Sequence, residues 1–206
     1  MSPARTLPAV AFACLALAAA APARAAYVAT MSETGPDVFI SGTGTINLAG
    51  LFMVPAGGGL RPAAIQPNAP FLLLGPAGFG ETLGAYTGFI EPANFGTGGV
   101  AIATSGTGVK FGFAPDWDDS PRLELDPTLS NVLISSTSTY AGQTFASLGV
   151  TPGSYVWSWG SGPTADTFTL NITNEAPPSS TPEPASLALL AAGLAGLTLQ
   201  RRRNQA

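Results

Sequence analysis

A run of carboxylates between positions 116 and 126 is the one group of side chains whose type and spacing could support chemistry. Asp116, Asp118 and Asp119 lie close together, and Glu124 and Asp126 follow them. Carboxylate oxygens suit Ca²⁺, and two carboxylates that face each other across a sugar can hydrolyse a glycoside. The central glycine and terminal glutamate of an EF-hand loop are missing. A solvated loop that leads into a strand is therefore the favoured interpretation, ahead of calcium binding by the three aspartates and of catalysis.

A stripe of aromatic residues is the second candidate site. Tyr155, Trp157 and Trp159 alternate with Ser154, Val156 and Ser158, so in a strand the three rings lie on one face. Flat aromatic faces can stack on sugar rings, which makes carbohydrate contact one interpretation of the stripe. Core packing is the favoured interpretation, because a sheet needs one apolar face and this strand has no other.

Several classes of enzyme are excluded by the residues that the chain lacks. It contains no histidine, and Cys14 is its only cysteine. Ser-His-Asp catalysis is therefore impossible, and zinc, copper and thiol chemistry lack their usual ligands. The glycines at 57–59 lack the context of a phosphate-binding loop. The sequence predicts no cofactor.

The hydrophobic pattern of residues 26–172 predicts an all-β fold. Short segments alternate with period two between clusters of Gly, Pro, Asn and Asp, and they favour a single antiparallel β-sandwich. The clearest hairpin pairs 154–159 with 166–172, and residues 54–70 are expected to form a long loop. No amphipathic helix of useful length is predicted before the tail. The other expected strands are 37–40, 45–48, 71–74, 100–103, 109–113, 122–125 and 132–135.

The first 25 residues have the pattern of a secretory signal peptide. Arg5 precedes an almost wholly apolar stretch at 9–21, and Ala23 and Ala25 form a small-x-small cleavage site. A helical signal peptide is expected, with cleavage after Ala25 by signal peptidase once the export machinery has taken the chain. Cys14 lies within the apolar stretch, which disfavours a lipoprotein.

The tail after residue 172 has four parts. Residues 173–181 are rich in Pro, Ser and Thr and predict an extended linker. The apolar run 185–199 predicts a transmembrane helix of about 22 Å, which is short beside a bilayer core of about 30 Å. A basic cluster after such a run is typical of a cytoplasmic anchor. The residues that define the tail are Pro182, Glu183, Pro184, Arg201, Arg202 and Arg203.

Residues 181–203 resemble the PEP-CTERM sorting signal of Gram-negative bacteria, a motif also associated with the C-termini of ice-binding proteins. The resemblance implies recognition and cleavage by an exosortase, with a transient stay in the inner membrane before the protein reaches the cell surface or is secreted. Residues 145–160 are similar to the end of the uncharacterised β-rich extracellular domain found in many proteins that carry this signal. Neither resemblance implies an activity.

The net charge of the mature region limits the kinds of partner that it is expected to bind. Residues 26–181 contain three basic and eleven acidic side chains, which gives a net charge of −8. Such a surface repels phosphates, so nucleic acid is not an expected partner. We expect a non-enzymatic surface or extracellular-matrix protein that associates with exopolysaccharide. The alternative is a carboxylate-dependent hydrolase of extracellular polysaccharide.

Overall fold

Two seven-stranded sheets form the fold in a computed structural model, which describes residues 26–58, 61–79, 83–115 and 120–174. In spatial order the first sheet contains β7 (Phe89–Ile90), β13 (Gly153–Trp159), β14 (Asp166–Thr173), β1 (Ala26–Thr34), β2 (Asp37–Gly44), β12 (Ile134–Tyr140) and β9 (Ser105–Gly108). The second contains β3 (Phe52–Gly58), β6 (Leu83–Thr87), β11 (Pro121–Leu125), β10 (Phe111–Pro115), β5 (Phe71–Leu74), β4 (Ala64–Gln66) and β8 (Ala101–Ile102).

The alternation of apolar and polar residues explains why these segments form strands, and it appears in the structure as alternating burial. In β14 the side chains of Phe168, Leu170 and Ile172 are buried, while Thr169 and Asn171 between them are partly exposed. Period-two alternation of this kind gives a strand one face toward the core and one toward solvent. The all-β class predicted from the sequence is therefore confirmed.

The first sheet differs from the predicted antiparallel pattern at one place. β1 and β14 pair in parallel, with Tyr27 beside Phe168. Parallel neighbours need a long crossover, and here the crossover is the rest of the described chain between the two strands. The pairing brings both ends of the domain to the middle of the sheet. Every other strand pair in the described residues is antiparallel, including the predicted β13–β14 hairpin.

The core between the sheets is built around aromatic rings. Trp157 stacks on Phe113 with ring centroids 4.9 Å apart, and Phe168 meets both rings edge to face at 5.3 Å. Tyr27 lies 4.5 Å from Phe111 in an edge-to-face arrangement. These are the geometries that aromatic pairs prefer. Phe111 and Phe113 come from the second sheet and the other rings from the first, so the cluster joins the two layers.

Two predictions about individual segments are wrong, and a third is correct only in part. Residues 45–47 are irregular and Leu48–Gly50 is a 3₁₀ helix, so no strand forms at 45–48. The expected loop at 54–70 contains β4 and most of β3. The strand expected at 132–135 begins only at Ile134 and extends to Tyr140. Residues 45–48 alternate between polar and apolar side chains, but the backbone N–H groups of Asn47 and Leu48 bond to the side chains of Asp166 and Ser130 instead of to a neighbouring strand. In the other two segments alternation is weak, and the pairing with neighbouring strands determines the outcome.

Helical structure is sparse in the described part of the chain. The α-helix α1 (Phe145–Leu148) is capped by Thr144 and ends at Gly149, whose φ of 65° lies in the left-handed region that favours glycine. Two further 3₁₀ helices lie at Pro127–Leu129 and Gly162–Thr164. Over the same residues, no helix has the length and apolar character needed to cross a bilayer. The expected signal-peptide helix at 1–25 and transmembrane helix at 185–199 lie outside the described residues.

Candidate functional site

The aromatic stripe of β13 lies inside the sandwich. Trp157 is 0% exposed and Trp159 is buried, while Tyr155 packs partly buried against the core. Trp159 Nε1 donates a hydrogen bond of 2.8 Å to the carbonyl oxygen of Asn47. Contact between a sugar ring and Trp157 or Trp159 would require those rings to leave the core, whereas Tyr155 is only partly covered. The residues on the opposite face of β13 remain open to solvent.

A ladder of hydroxyl and amide side chains crosses the outer side of the first sheet. The register aligns one outward-facing residue from each of six neighbouring strands. Neighbouring strands are about 4.8 Å apart, so the ladder is about 24 Å long before twist is counted. Thr107 and Thr137 share a hydrogen bond of 2.9 Å between their hydroxyl oxygens. In spatial order the ladder is Ser154, Asn171, Thr30, Ser41, Thr137 and Thr107.

A second row, two residues along each strand, runs beside this ladder. It mixes hydroxyls with two valines, Val28 and Val156, which are 44% and 45% exposed. A shallow groove lies between the rows around Thr30 and Ser41. In spatial order the second row is Val156, Thr169, Val28, Thr43 and Ser135. We call the two rows together the hydroxyl face.

The hydroxyl face is electrically neutral. Among the outward-facing residues of the described strands in this sheet, only Asp37 is charged, and it lies at the start of β2. Its carboxylate accepts a hydrogen bond of 2.9 Å from the backbone N–H of Gly142. The face thus differs from the mature region as a whole, whose net charge is −8.

Most described carboxylates bind backbone N–H groups. Each holds a loop or a strand end in place, which is a structural task. Burial raises the pKa of Asp166, and its hydrogen bonds from Asn47 and Thr167 partly oppose that shift. The acceptor and donor pairs are Glu33 with Phe145 N at 2.9 Å, Asp37 with Gly142 N at 2.9 Å, Asp126 with Thr128 N at 2.8 Å and Asp166 with Asn47 N at 2.6 Å.

Glu91 is the described carboxyl group that best fits acid catalysis. It lines a small pocket with Phe71, Pro115 and Pro121, and burial raises its pKa. Asp116, Asp118 and Asp119, the predicted calcium ligands, lie outside the described residues. Within the described ranges, no three His, Cys, Asp or Glu side chains are close enough to share a metal ion. Calcium binding stays a prediction.

The first and last strands of the sandwich lie close in sequence to the expected signal peptide and to the sorting residues. β1 begins at Ala26, the residue that would follow the expected cleavage site, and β14 ends at Thr173. Ala23 and Ala25 lie outside the described residues. The same is true of the sorting residues Pro182, Glu183, Pro184, Arg201, Arg202 and Arg203.

Comparison with protein families identifies the tail. The model of the PEP-CTERM protein-sorting motif matches residues 180–203, which agrees with the resemblance found in the sequence. The motif marks the chain as an exported protein that an exosortase sorts, with a transient membrane stage on the way to the cell surface. Comparison with curated proteins and with solved structures gives no match.

Sequence reasoning did not find the hydroxyl face. Thr167, Thr169 and Asn171 alternate with apolar residues along the sequence, and β12 contains an unbroken run of Ser and Thr at 135–139. The ladder becomes apparent only when strands distant in sequence are placed side by side. The Ser-Gly-Thr-Gly sequence that occurs at Ser41 and again at Ser105 was the available signal, because its two copies flank β12.

Proposed function

We propose that this chain is an exported, non-enzymatic β-sandwich of the cell surface or extracellular matrix of a Gram-negative bacterium. An exosortase cuts it near Pro182–Pro184, and the released domain associates with exopolysaccharide. Signal peptidase and the export machinery act before this step. The apolar run at 185–199 holds the chain in the inner membrane until the cut.

The position of the sorting motif directly after the sandwich carries this proposal. β14 ends at Thr173 and the motif begins at residue 180, so residues 174–179 separate them. The apolar run begins at 185, and the eleven residues 174–184 before it span at most about 40 Å when fully extended. Before cleavage the sandwich is therefore held close to the membrane, and after cleavage it is free of it.

The arrangement of carboxylates supports a non-enzymatic role. Glycoside hydrolysis requires a pair of carboxyl groups on either side of the scissile bond, about 5–10 Å apart. The four carboxylates that accept backbone hydrogen bonds are committed to holding loops and strand ends. Histidine, the commonest general base, does not occur in the sequence.

Deletion of the exosortase in the native host tests the sorting proposal. We expect the protein to accumulate in the inner-membrane fraction of the deletion strain, with its tail intact. In the parent strain it should be found at the surface or in the medium. The same distribution in both strains would contradict processing by an exosortase.

A hydrolase of extracellular polysaccharide is the second candidate, favoured by the raised pKa of Glu91 in its pocket. The test is to incubate the protein with the host's own exopolysaccharide and measure new reducing ends. Our proposal predicts none above the blank. Reducing ends that disappear in Glu91→Gln would favour the hydrolase instead.

A further inference from the structure

We infer that the hydroxyl face of the first sheet is a docking surface for a neutral polysaccharide chain that lies across the strands. The inference rests on the proposed association with exopolysaccharide and assigns that association to particular residues. It also states the charge of the polymer.

The chemistry of the first row is the starting point. A hydroxyl group both donates and accepts hydrogen bonds, and the amide of Asn171 offers both functions as well. Sugar hydroxyls have the same dual capacity, so Thr30, Ser41 and Asn171 can pair with a sugar in either sense. Thr107 and Thr137 offer the capacity that their mutual hydrogen bond leaves. A row of six such groups, about 24 Å long, presents repeated partners to a repeating polymer.

The second row adds the apolar component that a sugar ring requires. Sugar rings have C–H faces beside their hydroxyl edges. Val28 and Val156 lie next to the hydroxyl row and are nearly half exposed. A chain that follows the groove beside Thr30 and Ser41 can place hydroxyls over the first row and C–H groups over these valines.

The charge of the face and of the surrounding surface favours a neutral polymer over an anionic one. The face holds no charged side chain except Asp37 at its margin, whereas the mature region has a net charge of −8. An anionic polymer would meet repulsion from the surrounding surface without a compensating cation on the face. A neutral polymer avoids that repulsion and loses no ion pair.

Rigidity favours the same interpretation. The row belongs to six paired strands, and the hydrogen bond between Thr107 and Thr137 fixes two of its hydroxyls. A surface ordered before binding loses little entropy when a ligand docks. A second copy of the chain is a poorer occupant, because the buried centre of a homodimer interface is mostly apolar and this face is mostly hydroxyl.

Binding to insoluble neutral glucans and mannan tests the inference. The full-length chain, purified in a non-ionic detergent without a sugar headgroup, is incubated with microcrystalline cellulose, curdlan and insoluble mannan. Carboxymethyl cellulose resin is the anionic counterpart. We expect retention on at least one neutral polymer and none on the resin. Retention on the resin alone, or on none of the four, would overturn the inference.

Matched substitutions locate the surface. Thr30→Arg and Ser41→Arg put a bulky charge into the centre of the face, and each is expected to weaken retention more than tenfold. Thr30→Val removes only a hydroxyl, and a loss of about three- to tenfold is expected from one hydrogen bond. Thr87→Arg and Thr87→Val are the controls, because Thr87 faces outward from the second sheet. Equal unfolding midpoints establish that all variants are folded.

The outcomes separate the inference from the proposed function. Neutral-polymer binding that survives both arginine variants overturns the assignment to this face and leaves polysaccharide association intact. Binding to none of the four polymers overturns the inference, whereas the proposed association fails only if the protein also does not bind the host's own exopolysaccharide; sorting by the exosortase is tested independently. If Thr30→Arg instead abolishes a dimer detected by light scattering, the occupant is a second copy and the inference is wrong.

Discussion

Trp157 and Phe113 stack across the sandwich with ring centroids 4.9 Å apart and planes inclined by 17°. Trp157 belongs to β13 in the first sheet and Phe113 to β10 in the second. The contact therefore joins the two layers at Trp157, a member of the aromatic stripe for which carbohydrate contact was one interpretation of the sequence. It also means that β13 presents Ser154, Val156 and Ser158 to solvent, and two of these belong to the hydroxyl face.

Replacement of Trp157 should destabilise the domain. Trp157→Ala leaves a cavity between the sheets, and we expect a loss of about 3–5 kcal/mol in the free energy of unfolding. Trp157→Phe keeps a stacking ring and should lose less. Urea unfolding followed by circular dichroism measures both. A change below 1 kcal/mol for Trp157→Ala would mean that the ring is not in the core.

Gly42 is expected to tolerate no side chain. A Cβ atom at Gly42 would lie 2.5 Å from Cε1 of Tyr27, whose ring is fully buried against Phe111. Since that ring has little room to move, Gly42→Ala should cost about 1–3 kcal/mol through overpacking. Gly99→Ala is the matched control, because nothing lies within 4 Å of its Cβ position. Equal unfolding midpoints for the two variants would contradict the packing of Tyr27 over β2.

The phenol of Tyr27 should make the protein sensitive to alkali. Burial raises its pKa from 10.0 to about 12, with a smaller opposing influence from Ser136. Above pH 10 the unfolded chain loses this proton while the folded chain keeps it, so ionisation favours unfolding. The contribution of Tyr27 to the free energy of unfolding is fully present below pH 10. It is lost between pH 10 and 12, by up to about 3 kcal/mol. We expect Tyr27→Phe to lose less stability between pH 9 and pH 11 than the wild type does, measured by urea unfolding. Identical losses of stability in the wild type and in Tyr27→Phe would show that the Tyr27 hydroxyl is exposed to water in the folded protein.

The sequence predicted best those strands whose alternation is strong. β14 alternates buried apolar residues with Thr and Asn, and its hairpin with β13 has the expected partners. β3 was missed because Gly, Pro and Ala dominate it, and those residues are depleted in strands. Its pairing with β6, which no local pattern shows, determines its conformation.

The candidate surface could not be predicted because it depends on long-range register. Thr30, Ser41 and Thr137 lie in three strands that are neighbours only through pairing. A slip of one residue in β1 or β2 would turn Thr30 or Ser41 into the core. The sorting motif is local in sequence, and for that reason residue order alone was enough to find it.

Substitutions in the tail should separate anchoring from processing. Replacing Arg201, Arg202 and Arg203 with serine removes the orienting charge, so weaker membrane retention is expected. Glu183→Ala should leave insertion intact and impair cleavage if the exosortase reads the tripeptide. Fractionation of host cells that express each variant measures both effects. Normal processing of Glu183→Ala would remove Glu183 from the recognition element.

The mass of the mature C-terminus in the native host is the most direct test of the central claim. Cells are fractionated, the protein is isolated from the surface and the medium, and its C-terminal peptide is measured by mass spectrometry. Sorting by an exosortase predicts a terminus near Pro182–Pro184, without residues 185–206. A steady-state protein that keeps its apolar run and arginines would contradict the account.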